Sequence, residues 1–129
     1  MPFLDQLEVL VVDDTNTSRA LICGALDECG ILKHRIAKDG EEALKAMMVK
    51  PAPLVISDMA MPKLDGLGLL KALRQYGPTS RVGFILVTGL TDKAIIQEGK
   101  KYGLNNYLAK PFTAASMKAC IEAVTGKLV

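Results

Sequence analysis

Neither sign of charge dominates this chain. Sixteen Lys and Arg against 14 Asp and Glu leave a net charge of +2 over 129 residues. That is too little to argue for nucleic acid or an anionic membrane surface as partner. No apolar run approaches the length that spans a bilayer. The opening segment MPFLDQLEVL carries an acid before any base, and the first positive side chain is Arg19, the reverse of a secretory leader. Cysteines number only 3, an odd count that suits buried, reduced thiols in the cytoplasm better than a disulfide framework. Cys23 and Cys29 fall in a helical pattern, and their spacing at about 100° per residue sends them to different faces, so they do not share a metal. Histidine occurs once, as His34 on an expected edge strand, which gives little support to a phosphohistidine role. Internal repeats, low-complexity tracts and linkers are all missing.

What is present is a globular composition, 50% hydrophobic and 23% charged. The length suits one domain over residues 1–129, large enough to build a core without staples. Short apolar runs alternate with helical patterns throughout. Strands are expected near 9–13, 33–37, 54–58, 82–88 and 106–109, and helices near 18–29, 41–49, 66–76, 92–102 and 114–125. Five βα repeats predict a parallel sheet with helices on both faces. VLVV, LVIS and VGFILV are apolar on both alternating faces, as central parallel strands must be, whereas KHRIA and NYLA are mixed, as edge strands are. Strand order 2-1-3-4-5 meets these demands with right-handed crossovers: an α/β, flavodoxin-like (βα)5 architecture. Gly30, Gly77, Gly103 and Gly126 each follow a helical pattern, where a left-handed residue is wanted, and Asp65, Thr91 and Thr113 sit at N-cap positions.

In such a sheet ligands bind beyond the carboxyl ends of the strands, where the order reverses. Strand one runs into Asp13 and Asp14, strand three ends at Asp58, strand four at Thr88, and strand five leads to Lys110. Carboxylates brought within about 4 Å repel by roughly 4 kcal/mol per pair at an effective dielectric near 20. They must protonate, pair with a cation or bind a metal. All-oxygen ligands in an open crevice suit Mg²⁺ keeping several waters. A metal and an ammonium together stabilise phosphoryl oxygens, and a carboxylate among them can form an acyl phosphate. Thr88 could hydrogen-bond a phosphoryl oxygen.

VVDD, SDMAMPKLDG, VTG and LAKPF together resemble the response-regulator receiver domain, over essentially the whole chain. The resemblance implies that Asp58 accepts a phosphoryl group from the phosphotransfer domain of a histidine kinase. It implies that Asp13 and Asp14 hold Mg²⁺, one directly and one mainly through water, with the Ala60 backbone carbonyl and Asp58 in the metal shell. Lys110 would bind a phosphoryl oxygen, and the Lys110–Pro111 bond would be cis. Thr88 and Tyr107 would form the switch that remodels the face of helix four, strand five and helix five. No output domain is expected. The free-standing form, with DGLGLL and LNN, is similar to chemotaxis regulators of alpha-proteobacterial type. It implies a cytoplasmic monomer that binds the flagellar motor switch protein, or else a phosphate sink or relay intermediate.

Ala60, Gly89 and Leu90 depart from the common pattern, and neither Ala60 nor Leu90 offers a group to orient water, so slow self-dephosphorylation is expected. Helix one with Arg19 would meet the kinase. Gly99 interrupts helix four, either as a point of weakness or as a close packing contact. A Mg²⁺-dependent phosphohydrolase of haloacid-dehalogenase type is the enzymatic alternative. It resembles DxDx[TV] on strand one, where this chain has DDTN, so a regulator rather than an enzyme is expected.

Overall fold

The computed structural model describes residues 7–89 and 93–126. Its elements are β1 (Glu8–Val12), α1 (Asn16–Glu28), β2 (Lys33–Ala37), α2 (Gly40–Val49), β3 (Leu54–Asp58), α3 (Gly66–Gln75), a 3-10 turn (Gly77–Thr79), β4 (Gly83–Thr88), α4 (Lys93–Lys101), β5 (Asn106–Ala109) and α5 (Ala114–Thr125). All strand pairs are parallel and the order is 2-1-3-4-5, as the patterning predicts.

The two-residue period of the central strands builds two cores. Val9, Val11, Leu54, Ile56, Ile85 and Val87 face Ile22 and Leu26 of α1 and Met117 and Ile121 of α5. Leu10, Val12, Val55, Phe84 and Leu86 face Met47 of α2 and Leu70 and Leu73 of α3. Burying each such aliphatic side chain contributes about 1.5–3 kcal/mol, which fixes strand register, because a slip of one residue would exchange the faces.

Most of the punctuation is where it was expected. Asp65 accepts from the Gly68 amide and Thr113 from the Ser116 amide, so both cap their helices. Gly30, Gly103 and Gly126 have positive φ. Gly77 does not. It opens the 3-10 turn with Pro78, and Thr79 ends α3 instead, its Oγ1 donating to the carbonyls of Leu73 (2.6 Å) and Tyr76 (3.1 Å). The hydroxyl satisfies carbonyls that a left-handed glycine would otherwise serve. Thr91 and Leu90 lie outside the described residues.

At the first turn of the chain the boundaries shift. β1 ends at Val12 and α1 begins at Asn16, two residues before the expected start, with Thr15 as an extended N-cap. The Asp13 amide still donates to Ala37 O at 3.2 Å, but its carboxylate has already turned to α1.

Candidate functional site

The carboxyl ends of β1, β3, β4 and β5 deliver the expected side chains to one edge. Asp13 is fully buried and Asp58 is 8% exposed, while Asp14 is exposed. One carboxylate oxygen from each lies within 4.8 Å of the others. Two charges at that separation repel by about 3 kcal/mol at an effective dielectric of about 20, so the cluster must hold a proton, pair with a cation or bind a metal.

Asp58 is held from behind. Gly66 opens α3 so close to it that a Cβ there would lie 2.7 Å from the Asp58 carbonyl oxygen and 2.6 Å from Leu86 Cδ1. Only glycine lets the helix start approach the strand end in this way. Lys110 Nζ donates to Asp58 Oδ1 at 3.1 Å. Burial nevertheless pushes the Asp58 carboxyl above the ordinary carboxylate range. Lys110 pulls the other way by hydrogen bond and by charge, and the neighbouring Asp13 adds to the rise. Ionising Asp58 therefore costs more than ionising a solvated carboxyl, and a divalent cation would offset that cost.

Asp13 is held by three donors. Its Oδ1 accepts from the Thr15 amide (3.0 Å) and hydroxyl (3.3 Å), and its Oδ2 accepts from Ser18 Oγ (2.5 Å). Its carbonyl accepts from Arg19 Nη1 at 2.9 Å, while Arg19 Nη2 donates to Asn16 Oδ1. Arg19 was expected on a docking face. It is instead 8% exposed and turned back onto the Asp13 carbonyl, where it braces the turn from β1 to α1. Ser18 and Arg19 escape a reading of strand ends because both sit in the first turns of a helix.

Thr88 is buried at the end of β4, and its carbonyl accepts from the Lys110 amide at 2.8 Å, which ties these two residues together. The Lys110–Pro111 bond is cis, as the resemblance implies. Ala60 is exposed and, with Asp14, Met59, Met61, Pro62 and Asp65, lines an open pocket of about 550 Å³. Gly89 is exposed, and a Cβ on it would meet nothing within 4 Å. Tyr107 is 39% exposed on β5, opposite Leu86 in register.

The remaining expectations fall away from the crevice. His34 pairs with Asp27 Oδ1 at 2.8 Å. Cys120 is buried, and burial pushes its thiol up to about 11. Cys23 and Cys29 are only half-buried, against the expectation of buried thiols, because Cys23 on α1 and Cys29 at its C-cap lie at the margin of the packed face. Among the described residues no helix is long and apolar enough to cross a membrane.

Fold and crevice together define a flavodoxin-like α/β domain with an acidic cluster able to hold a metal ion at the switch point of its sheet. The response regulator receiver domain model matches residues 9–122. The chain is 46% identical to a probable chemotaxis protein CheY of Rhizobium etli, over 99% of this chain and 99% of that protein. It is 30% identical to chemotaxis protein CheY-3 of Vibrio cholerae, over 95% and 94% of the two chains. A high-resolution structure of the V. cholerae chemotaxis protein CheY4 superposes with a TM-score of 0.85 at 30% identity, covering 92% of this chain and 98% of that one. The receiver domain of a sensor histidine kinase of Pseudomonas aeruginosa, with a magnesium ion coordinated in its active-site cleft, gives a TM-score of 0.84 at 25% identity, covering 94% and 98%. CheY is itself the standard example of the 2-1-3-4-5 order, so the fold match restates the family. The chain belongs to the response regulator receiver domain family and is a two-component response regulator.

Proposed function

We propose that this receiver takes a phosphoryl group from a histidine kinase onto Asp58 with Mg²⁺ and signals in chemotaxis through the face of α4, β5 and α5. The crevice carries the reading: three carboxylates within 4.8 Å, with Lys110 Nζ 3.1 Å from Asp58 Oδ1. The donor set is all oxygen and open at Asp14, which fits a small hard cation that keeps waters. Asp14, Asp58 and the Ala60 carbonyl would be direct ligands. Asp13, already taken up by three donors, would act through water. The bound ion would neutralise the acids and the incoming phosphoryl oxygens.

In the transfer step an Asp58 carboxylate oxygen attacks phosphorus. The P–N bond of the donor phosphohistidine breaks, and its electron pair returns to the imidazole, which takes up a proton from solvent. The product is an acyl phosphate. Lys110 moves its hydrogen bond from Asp58 to a phosphoryl oxygen, and Thr88 donates to another. The protein is a regulator that catalyses only its own phosphorylation and dephosphorylation. The donor domain would seat on the groove of about 760 Å³ between α1 and the cis-proline segment, where Ala20, Leu21 and Phe112 lie beside Lys110 and Ser18. Tyr107, standing out on β5, would turn inward as Thr88 moves and change the output face.

The chemotaxis relatives support a chemotaxis role. In this reading the partner is the flagellar motor switch protein and the working form is a cytoplasmic monomer. Acetyl phosphate with Mg²⁺ should label the parent chain, and Asp58→Asn should abolish labelling. Normal labelling of that variant would overturn the assignment. Motor-switch protein captured only in the presence of beryllofluoride supports the motor role, and no capture points to the phosphate sink.

A further inference from the structure

Ser18 lines the α1 side of the crevice, and the transfer step leaves it unused. It is the third residue of α1, half-buried, and its hydroxyl touches an anion and a cation at once. It donates to Asp13 Oδ2 at 2.5 Å and accepts from Lys110 Nζ at 3.4 Å. Lys110 in turn reaches Asp58 Oδ1 at 3.1 Å. The result is a continuous chain from Asp13 through Ser18 and Lys110 to Asp58, which closes the α1 side of the crevice. Among side chains of this size a hydroxyl serves best here, because it donates and accepts together and does both strongly, where a thiol does both weakly. An apolar residue would leave Asp13 Oδ2 without its Ser18 donor and, among the described residues, Lys110 Nζ with Asp58 as its one hydrogen-bond partner.

We propose that Ser18 is a positioning residue of the acceptor site: its hydroxyl bridges Asp13 and Lys110 and thereby sets the cation affinity of the acid cluster. The proposal rests on the Asp58 phospho-acceptor reading. Oδ1 of Asp13 is fixed by Thr15 through both amide and hydroxyl, so rotation of the carboxylate is governed by the donor on Oδ2. Losing that donor frees the carboxylate to turn, and the waters it would orient lose their fixed acceptor. Lys110, released from Ser18, leans further onto Asp58 and competes with the metal for the same oxygens. Both effects weaken Mg²⁺ binding, while the nucleophile itself is unchanged.

The test uses the full chain as parent, Ser18→Ala and Ser18→Thr. Mg²⁺ alone is titrated against backbone amide shifts of Asp13, Asp14 and Thr15. Acetyl phosphate labelling is then followed across Mg²⁺ concentration. Loss of one charge-assisted hydrogen bond in a partly open site predicts about fivefold weaker Mg²⁺ binding for Ser18→Ala. Its half-saturating Mg²⁺ for labelling should rise equally, and its rate at saturating Mg²⁺ should change less than about twofold, since binding and not chemistry is affected. Ser18→Thr, which keeps the hydroxyl, should restore both. Parental Mg²⁺ affinity in Ser18→Ala, or a lowered saturated rate with unchanged half-saturation, would overturn the proposal. A parent that binds no Mg²⁺ or labels independently of Asp58 would overturn the acceptor reading instead, so the two failures are distinguishable.

Discussion

Replacing Arg19 by methionine separates two roles for a single cation. Methionine keeps a stem of similar length and removes the donors. The guanidinium makes two hydrogen bonds, to Asp13 O and to Asn16 Oδ1, and the residue is 8% exposed. Deleting hydrogen bonds from a charged donor costs about 1.5–3 kcal/mol each. Part is returned because a buried guanidinium no longer has to be desolvated. A net loss of about 2 kcal/mol is left. For 129 residues at about 2.1 cal/mol/K each, the unfolding entropy is about 0.27 kcal/mol/K, so Tm should fall by about 7 °C. Thermal and urea unfolding followed by circular dichroism, in chelator, measures this directly. A surface docking cation makes the opposite forecast. Stability would then stay within about 0.5 kcal/mol of the parent, and transfer from the kinase would slow while labelling by acetyl phosphate would not. Parental Tm in Arg19→Met would refute the buried-strut reasoning.

Asp58→Asn should be more stable than the parent in chelator at neutral pH. The folded-state carboxyl titrates above its unfolded value, so the ionised side chain weakens the fold as pH rises through that range, and below about pH 4, where both states are protonated, the difference should vanish; urea midpoints at the two pH values decide it, and a less stable variant at pH 7 would contradict the crowding account. Ala60→Asn places a polar side chain beside the attacking water and should shorten the acyl phosphate lifetime; an unchanged decay after removal of the phosphodonor would count against the role given to Ala60. Tyr107→Ala should leave labelling intact and weaken capture of the motor-switch partner. Leu70→Ala removes a fully buried side chain between α3 and the sheet, and should cost about 2–5 kcal/mol in urea unfolding.

The strands are legible in the sequence because burial on both faces leaves an unmistakable apolar run, and their carboxyl ends then locate Asp13, Asp14, Asp58, Thr88 and Lys110. Helix phase is harder to read. Starting α1 at residue 18 leaves the Ser18 hydroxyl at an undefined boundary. Starting it at Asn16, with Thr15 bonded to the Asp13 carboxylate, turns Ser18 and Arg19 back under β1. The local propensities of Thr, Asn and Ser fit a cap at several of these positions, so only the long-range demand of a buried carboxylate selects one. Gly99 is similar. Its helical position suggests either weakness or close packing, and the structure finds Leu104 Cδ2 at 2.9 Å from where a Cβ would be. The contact comes from the turn after α4, which no periodicity within the helix reports.

Asp13 and Asp14 show most plainly what adjacency in sequence conceals. Both follow β1, and as letters they are interchangeable members of an acidic pair. In the fold both lie past the end of β1, where the chain bends toward α1, and one carboxylate oxygen of each still comes within 4.8 Å of the other. Asp13 points inward, has no exposed surface and spends its oxygens on Thr15 and Ser18. Asp14 points outward into the pocket shared with Ala60. One carboxylate is thereby fixed by protein donors and the other is left open to solvent and cations. A metal site assembled from this pair is rigid on one side and exchangeable on the other. That asymmetry would let a small ion enter without disturbing the sheet, and in the Ser18 proposal it puts control of the rigid half in the first turn of α1.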